Sequence, residues 1–179
     1  VGLPLAARFS LKGFDVIGFD INEERVNQLK DNIDINNDIP KKNLKNLIKN
    51  CNLTSNLNEI EQCNIYIVTV PTPINDDKTP DLKPLISSSE LVGSIMKKGS
   101  IVIYESTVYP GVTDEICTPV LEEKSNLIFN EEFSTGYSPE RIVPGDSVNT
   151  IEKIKKVVSG SNKNTLEVIS FLYSSIIDA

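Results

Sequence analysis

An α/β domain built on a mostly parallel, doubly wound sheet is what the sequence predicts, on three observations. Short apolar runs alternate along the chain with amphipathic stretches of helical period, the order that lays helices over a parallel sheet. Gly2 is followed 18 residues later by Asp20 at the end of an apolar run. A βαβ nucleotide unit needs that spacing between the last glycine of its phosphate loop and the acid that takes the ribose hydroxyls. Finally, four strand-like runs end in polar or conformationally special residues: Asp20, residues 69–73, residues 105–107 and residues 138–141. Ligands of open parallel sheets sit outside the carboxyl ends of the strands, so this convergence marks the candidate site. The expected fold is Rossmann-like and lacks its first strand, because the chain starts at the third glycine position of the loop.

The elements follow in order. Residues 3–12 fit a helix with Leu5, Phe9 and Leu11 on the buried side, Pro4 in its first turn and Gly13 as its stop. Residues 15–21 form a nearly continuous apolar strand, covered on both faces. Asn22 caps a helix over 23–30 with Val26 and Leu29 inward, and the Asn- and Asp-rich stretch 31–38 reads as a surface loop. Helices near 40–50 and 57–62 precede the clearest buried strand, 64–70, which halts at Pro71-Thr72-Pro73 because proline cannot donate into a ladder. Residues 74–81 make a polar loop. Then come a helix over 82–98 ended by Gly99, a strand over 100–105, a helix over 112–123 and a strand over 133–138. A last strand over 156–159 and an amphipathic helix over 165–177 complete the chain.

Composition narrows the function. A chain of 179 residues, 39% hydrophobic and 24% charged, is ordinary for one globular domain with a real core. Its formal net charge of -7 argues against a nucleic-acid or anionic-membrane surface, which needs clustered Lys and Arg. A single pyrophosphate is still compatible, since backbone N–H groups and a helix N-terminus hold it without net positive charge. No apolar run approaches the ~20 residues that span a bilayer, and no signal peptide is expected, so the predicted location is cytoplasmic. Cys51, Cys63 and Cys117 lack metal or redox spacing and are expected to be reduced and mostly buried. The absence of histidine excludes Ser-His and Cys-His nucleophile pairs and His-based zinc ligation within the segment, and no metal is expected.

Among the strand-end residues, Asp20 alone could simply cap the following helix; its spacing from Gly2 favours a ribose ligand, whose charge disfavours a 2′-phosphate, so NAD is preferred over NADP. Arg25, on the following helix, is either a solvated charge or a cofactor contact. Pro71 and Thr72 are either a rigid turn or the lining of the cofactor site, and Thr107 is either a helix cap or a site hydroxyl.

Four ordered motifs then carry a resemblance: Val1-Gly2-Leu3-Pro4-Leu5-Ala6, Val70-Pro71-Thr72-Pro73, Glu105-Ser106-Thr107-Val108-Tyr109-Pro110-Gly111 and Tyr137-Ser138-Pro139-Glu140-Arg141-Ile142-Val143-Pro144-Gly145-Asp146. Together they resemble the N-terminal NAD-binding domain of the UDP-glucose/GDP-mannose dehydrogenase family. The branch that oxidises nucleotide N-acetylhexosamines is the most similar, and Lys156-Val157-Val158-Ser159-Gly160 suits it too. The resemblance implies a four-electron oxidation of a UDP-sugar C6 alcohol to a carboxylate, with two NAD used in succession. A cysteine nucleophile holds the carbon as a thiohemiacetal and then as a thioester, which water hydrolyses.

By motif matching, Glu140 assists the attack of water and Thr107 helps hold it. Gly2, Asp20, Arg25, Pro71, Thr72 and Thr107 serve the cofactor, and Arg141 faces the substrate side with Glu140. Pro144 stands where the UDP-glucose branch tends to carry a second acid, which favours an acetylated amino sugar over UDP-glucose or GDP-mannose. The resemblance also implies that residues 1–179 are an incomplete NAD-binding domain. The nucleophilic Cys, the catalytic Lys and Asn, the central dimerisation helix and the sugar-binding domain would lie downstream, and the intact protein would be a homodimer. The rival reading of another class is a truncated module that keeps the fold without turnover.

Overall fold

The computed structural model describes residues 2–140 and 155–177, which form two compact units. The first unit holds residues 2–60, 155 and 174–177 of those described; the second holds Glu61–Glu140 and Lys156–Tyr173.

In the first unit, helix α1 (Gly2–Leu11) leads into strand β1 (Val16–Phe19), helix α2 (Glu23–Lys30), helix α3 (Lys41–Asn50) and strand β2 (Cys51–Thr54). A single 3-10 turn, Leu57–Ile60, closes it. Gly13 adopts φ 87°, the left-handed geometry that ends a helix without a Cβ clash. Asn22 caps α2 as expected, its side-chain oxygen accepting the Arg25 N–H at 3.1 Å. β1 and β2 run parallel, from Val16 opposite Cys51 to Phe19 opposite Thr54. Ala7, Val26, Leu29, Ile39, Leu44, Leu47, Cys51 and Leu53 fill the core between helices and strands. Leu11, expected on the buried side, is instead 47% exposed, because α1 ends there and the chain turns away at Gly13.

β2 was not legible as a strand. It has four residues, and its Asn52 is exposed between buried Cys51 and Leu53, too short a run for a period-2 pattern to stand out.

In the second unit, strands β3 (Ile65–Val68), β4 (Ser100–Tyr104), β5 (Phe133–Tyr137) and β6 (Ser159–Gly160) lie in that order. The first two pairings are parallel and the last is antiparallel. Helices α4 (Lys83–Gly93), α5 (Thr118–Ser125) and α6 (Lys163–Ser174) complete the unit, α6 passing its last residue to the first. Gly136 of β5 is dictated by contact, since a Cβ there would come within 2.2 Å of Ile169 Cδ1 on α6 and 2.8 Å of the Ser159 carbonyl. The ladder is therefore split into two sheets: no described strand pairs with both β1 and β3.

Two expected helices are shorter than their patterns. The 82–98 run ends as a helix at Gly93 and continues as turns to Gly99, whose N–H reaches the Glu132 carbonyl at 2.6 Å. The 112–123 run begins as a π-helical turn, Val112–Cys117, before α5. Pro119 explains this, for it has no N–H to give to a preceding turn. The Thr118 N–H and hydroxyl both go to the Thr113 carbonyl, five residues back. The expected strand 156–159 reduces to β6, and the final helix starts at Lys163 rather than 165.

Candidate functional site

In the first unit, Asp20 follows β1 directly. Its N–H extends the ladder to the Thr54 carbonyl (3.1 Å) and its Oδ1 accepts the Asn22 N–H (2.8 Å). The residue is exposed at the carboxyl end of the strand, as a ribose ligand must be. Gly2 opens α1, whose first-turn N–H groups have no intrahelical acceptors. Arg25 is committed to the loop that follows α2: its NH2 lies 2.6 Å from Asp34 Oδ1 and 3.2 Å from Asp38 Oδ2. Its NH1 is buried with no hydrogen-bond partner among the described residues. Burial alone would raise the Asp34 carboxyl; the Arg25 guanidinium and the Ile39 N–H outweigh it and hold the group below its ordinary value.

In the second unit, three strand tips are sewn together by backbone bonds. The Glu105 N–H reaches the Val68 carbonyl (2.9 Å), the Ser138 N–H the Tyr104 carbonyl (2.9 Å) and the Glu140 N–H the Glu105 carbonyl (3.1 Å). The Ser106 hydroxyl donates to the Val70 carbonyl at 2.5 Å, fixing the turn that carries Pro71 and Thr72. Thr72 Oγ1 is buried and has no hydrogen-bond partner among the described residues, a vacancy in bonding that a polar ligand at this tip would fill. Thr107 is exposed just past β4. The chain after it borders a cavity of about 620 Å³ walled by Tyr109, Pro110, Asp114, Thr135 and Tyr137. Arg141 lies outside the described residues.

The interior of this tip cluster is ionic. Glu105 is fully buried. Lys156 Nζ sits 2.7 Å from Glu105 Oε2 and 3.9 Å from Glu140 Oε2, with 5%, 0% and 9% of the three side chains exposed. The Tyr173 hydroxyl donates to Glu105 Oε1, and its ring lies under the ammonium, 5.3 Å from Nζ to the centroid. Burial pushes the Glu105 carboxyl up, and Lys156 and Tyr173 pull it back in part. Burial and the neighbouring carboxylate push the Tyr173 phenol up, so it stays a donor.

Glu105, Lys156 and Tyr173 were missed as a site. The first two lie within quoted motifs, but nothing in a one-dimensional reading links positions 51 and 68 residues apart. Among the described residues no cluster of His, Cys, Asp and Glu could hold a metal ion. None of the described helices is long and apolar enough to cross a membrane.

Comparison with known proteins supplies the rest. The profile of the UDP-glucose/GDP-mannose dehydrogenase family, NAD binding domain, matches residues 1–177. A UDP-N-acetyl-D-glucosamine 6-dehydrogenase of Pseudomonas aeruginosa is 51% identical over all 179 residues, and that of Salmonella typhi is 48% identical. The chain spans 42% of the length of each. Among solved structures, the UDP-D-ManNAc dehydrogenase of Pyrococcus horikoshii superposes with a TM-score of 0.91 at 28% identity, covering 100% of this chain and 43% of that one.

Proposed function

Since this chain belongs to the UDP-glucose/GDP-mannose dehydrogenase family as its NAD-binding domain, we propose that it is the N-terminal part of a UDP-N-acetylhexosamine 6-dehydrogenase. The relatives at about half identity act, by name, on UDP-N-acetyl-D-glucosamine. The overall reaction converts R–CH2OH, two NAD+ and one water to R–COO−, two NADH and three protons. Bound NAD supplies the hydride acceptor. The residues at the strand tips supply what else the reaction requires. Asp20 accepts hydrogen bonds from ribose hydroxyls, and Gly2, at the third glycine position, allows the close helix–strand packing that sets the α1 N-terminus toward the pyrophosphate. Pro71 and Thr72 line the cofactor site, with Thr72 Oγ1 as the buried hydroxyl in want of a partner. Arg25, already holding Asp34 and Asp38, has its NH1 left for an adenosine-side contact. Thr107 helps hold the hydrolytic water and Glu140 takes its proton, since attack on an acyl carbon needs a base within reach. Arg141 is assigned to the substrate side.

The observation that carries this reading is the backbone bond from Glu140 to Glu105, which brings the proposed base to the shared carboxyl end of β4 and β5. The intact polypeptide is proposed to act in the cytoplasm as a homodimer, with its nucleophilic cysteine and sugar contacts in the portion of the relatives' length this chain does not span. Assay of the full-length protein for NADH formation with UDP-N-acetylglucosamine, UDP-N-acetylgalactosamine, UDP-glucose and GDP-mannose is the test. Two NADH per acetylated sugar are expected. Preference for UDP-glucose or GDP-mannose would overturn the substrate assignment, and no turnover with any sugar would overturn the enzyme reading. Residues 1–179 alone are expected to bind NAD without oxidising sugar.

A further inference from the structure

We infer that Lys156 is the positioning residue for Glu140: Glu105 and Tyr173 anchor its ammonium, and the ammonium in turn holds the Glu140 carboxylate at the tips of β4 and β5. The inference deepens the proposed function and rests on it, because it takes Glu140 as the base.

The geometry has two independent ties. Glu105 fixes the main chain of Glu140 through its carbonyl (3.1 Å) and fixes Lys156 through its carboxylate (2.7 Å). Both ends of Glu140 are thereby referenced to one buried residue. The segment carrying Lys156 is fastened separately, by the Ser138 hydroxyl donating to the Val157 carbonyl at 2.9 Å, two positions before Glu140 in sequence. The ammonium thus has little freedom, being held by a carboxylate on one side and a tyrosine ring on another. At 3.9 Å from Glu140 Oε2 it attracts that carboxylate from beyond hydrogen-bond distance, which steers the group by charge rather than by a hydrogen bond.

A purely mechanical clamp does not require these charges. Buried ion pairs contribute little net stability over packed apolar side chains of the same volume. A cation placed between a sealed acid and an acid at the strand tips has a use that an apolar pair would lack. Among the described residues, the charged and titratable groups facing Glu140 include Glu105 at the end of β4, Lys156 before β6 and Tyr173 on α6.

The test uses the full-length protein and three variants: E105Q/K156M, which removes both buried charges together, K156R, and E140Q as a background for each. Expected for E105Q/K156M are a retained fold, a kcat lower by about 10- to 100-fold with KM for NAD and sugar little changed, and a displaced acid limb of the kcat–pH profile. K156R should recover part of the loss. In the E140Q background neither change should lower kcat further. A folded E105Q/K156M protein with wild-type kcat and pH profile overturns the inference. If that variant does not fold, K156R decides: an equal fold-loss with and without E140Q overturns it. Inactivity of the wild-type protein toward every nucleotide sugar would instead overturn the underlying assignment of Glu140, and the positioning role would fall with it.

Discussion

Two charge clusters in this molecule have the same ingredients and behave oppositely. Arg25, Asp34 and Asp38 in the first unit, like Lys156, Glu105 and Glu140 in the second, set one cation against two carboxylates. The Arg25 cluster joins residues 9 and 13 positions apart and keeps its guanidinium 15% exposed. Its principal acid is held below the ordinary carboxylate range. The Lys156 cluster joins residues 51 apart around a fully buried acid, which is pushed above that range. Charge stoichiometry therefore does not decide the protonation preference; the balance of desolvation against hydrogen-bond donors does. The Asp34 side chain is only 6% exposed, yet the Arg25 guanidinium and the Ile39 and Asp38 N–H groups outweigh its burial, whereas at Glu105 one ammonium and one phenol do not.

Breaking the buried cluster should have the largest effect. K156M leaves Glu105 sealed without its cation and is expected to cost about 3–5 kcal/mol, read by urea denaturation. E105Q/K156M, with no stranded charge, should cost markedly less. Next in size, D34N should cost about 1.5–3 kcal/mol, the range for a hydrogen bond to a charged group. D38N, removing a longer 3.2 Å contact to an acid 21% exposed, should cost about 0.2–1 kcal/mol and lose that effect in high salt.

The pH dependence sharpens the contrast because the signs differ. Asp34 has a lowered folded-state value, so its contribution is present above its ordinary 3.8 and disappears as acid takes the pH through the folded value. Glu105 has a raised one, so stability is greatest below its ordinary 4.5 and is lost as pH climbs through the elevated value. Denaturation midpoints followed from pH 3 upward should show D34N flattening the acid side of the profile and E105Q flattening the decline above it. If both variants flatten the same side, the desolvation account fails.

The same contrast explains what the sequence could tell. Local interactions were readable: the Asn22 cap and the Gly13 stop each depend on neighbours within a few positions, whereas the pairing of Arg25 with Asp34 and Asp38, 9 and 13 positions on, was not. The carboxyl-end motifs were readable as well, because a strand that stops at Pro71 or turns at Glu105 shows its tip in composition. β2 was hidden by its brevity, and the π turn before α5 by the fact that Pro119 alters the hydrogen bonds without breaking the apolar spacing. The ionic interior of the tip cluster was hidden for a different reason. Its members come from β4, from the segment before β6 and from α6, and only tertiary closure makes an unremarkable lysine the neighbour of two acids.

The buried thiols have a practical consequence. Cys51 belongs to the first unit and Cys117 to the second; both are buried and unpaired with another cysteine. Burial pushes the Cys51 thiol up to about 11 and the Cys117 thiol up as well, and it shields both from reagents in the folded protein. An alkylating reagent reaches each one only after its own surroundings open. Peptide-resolved labelling would thus time the opening of the two units side by side within a single sample, a chronometer the chain already carries.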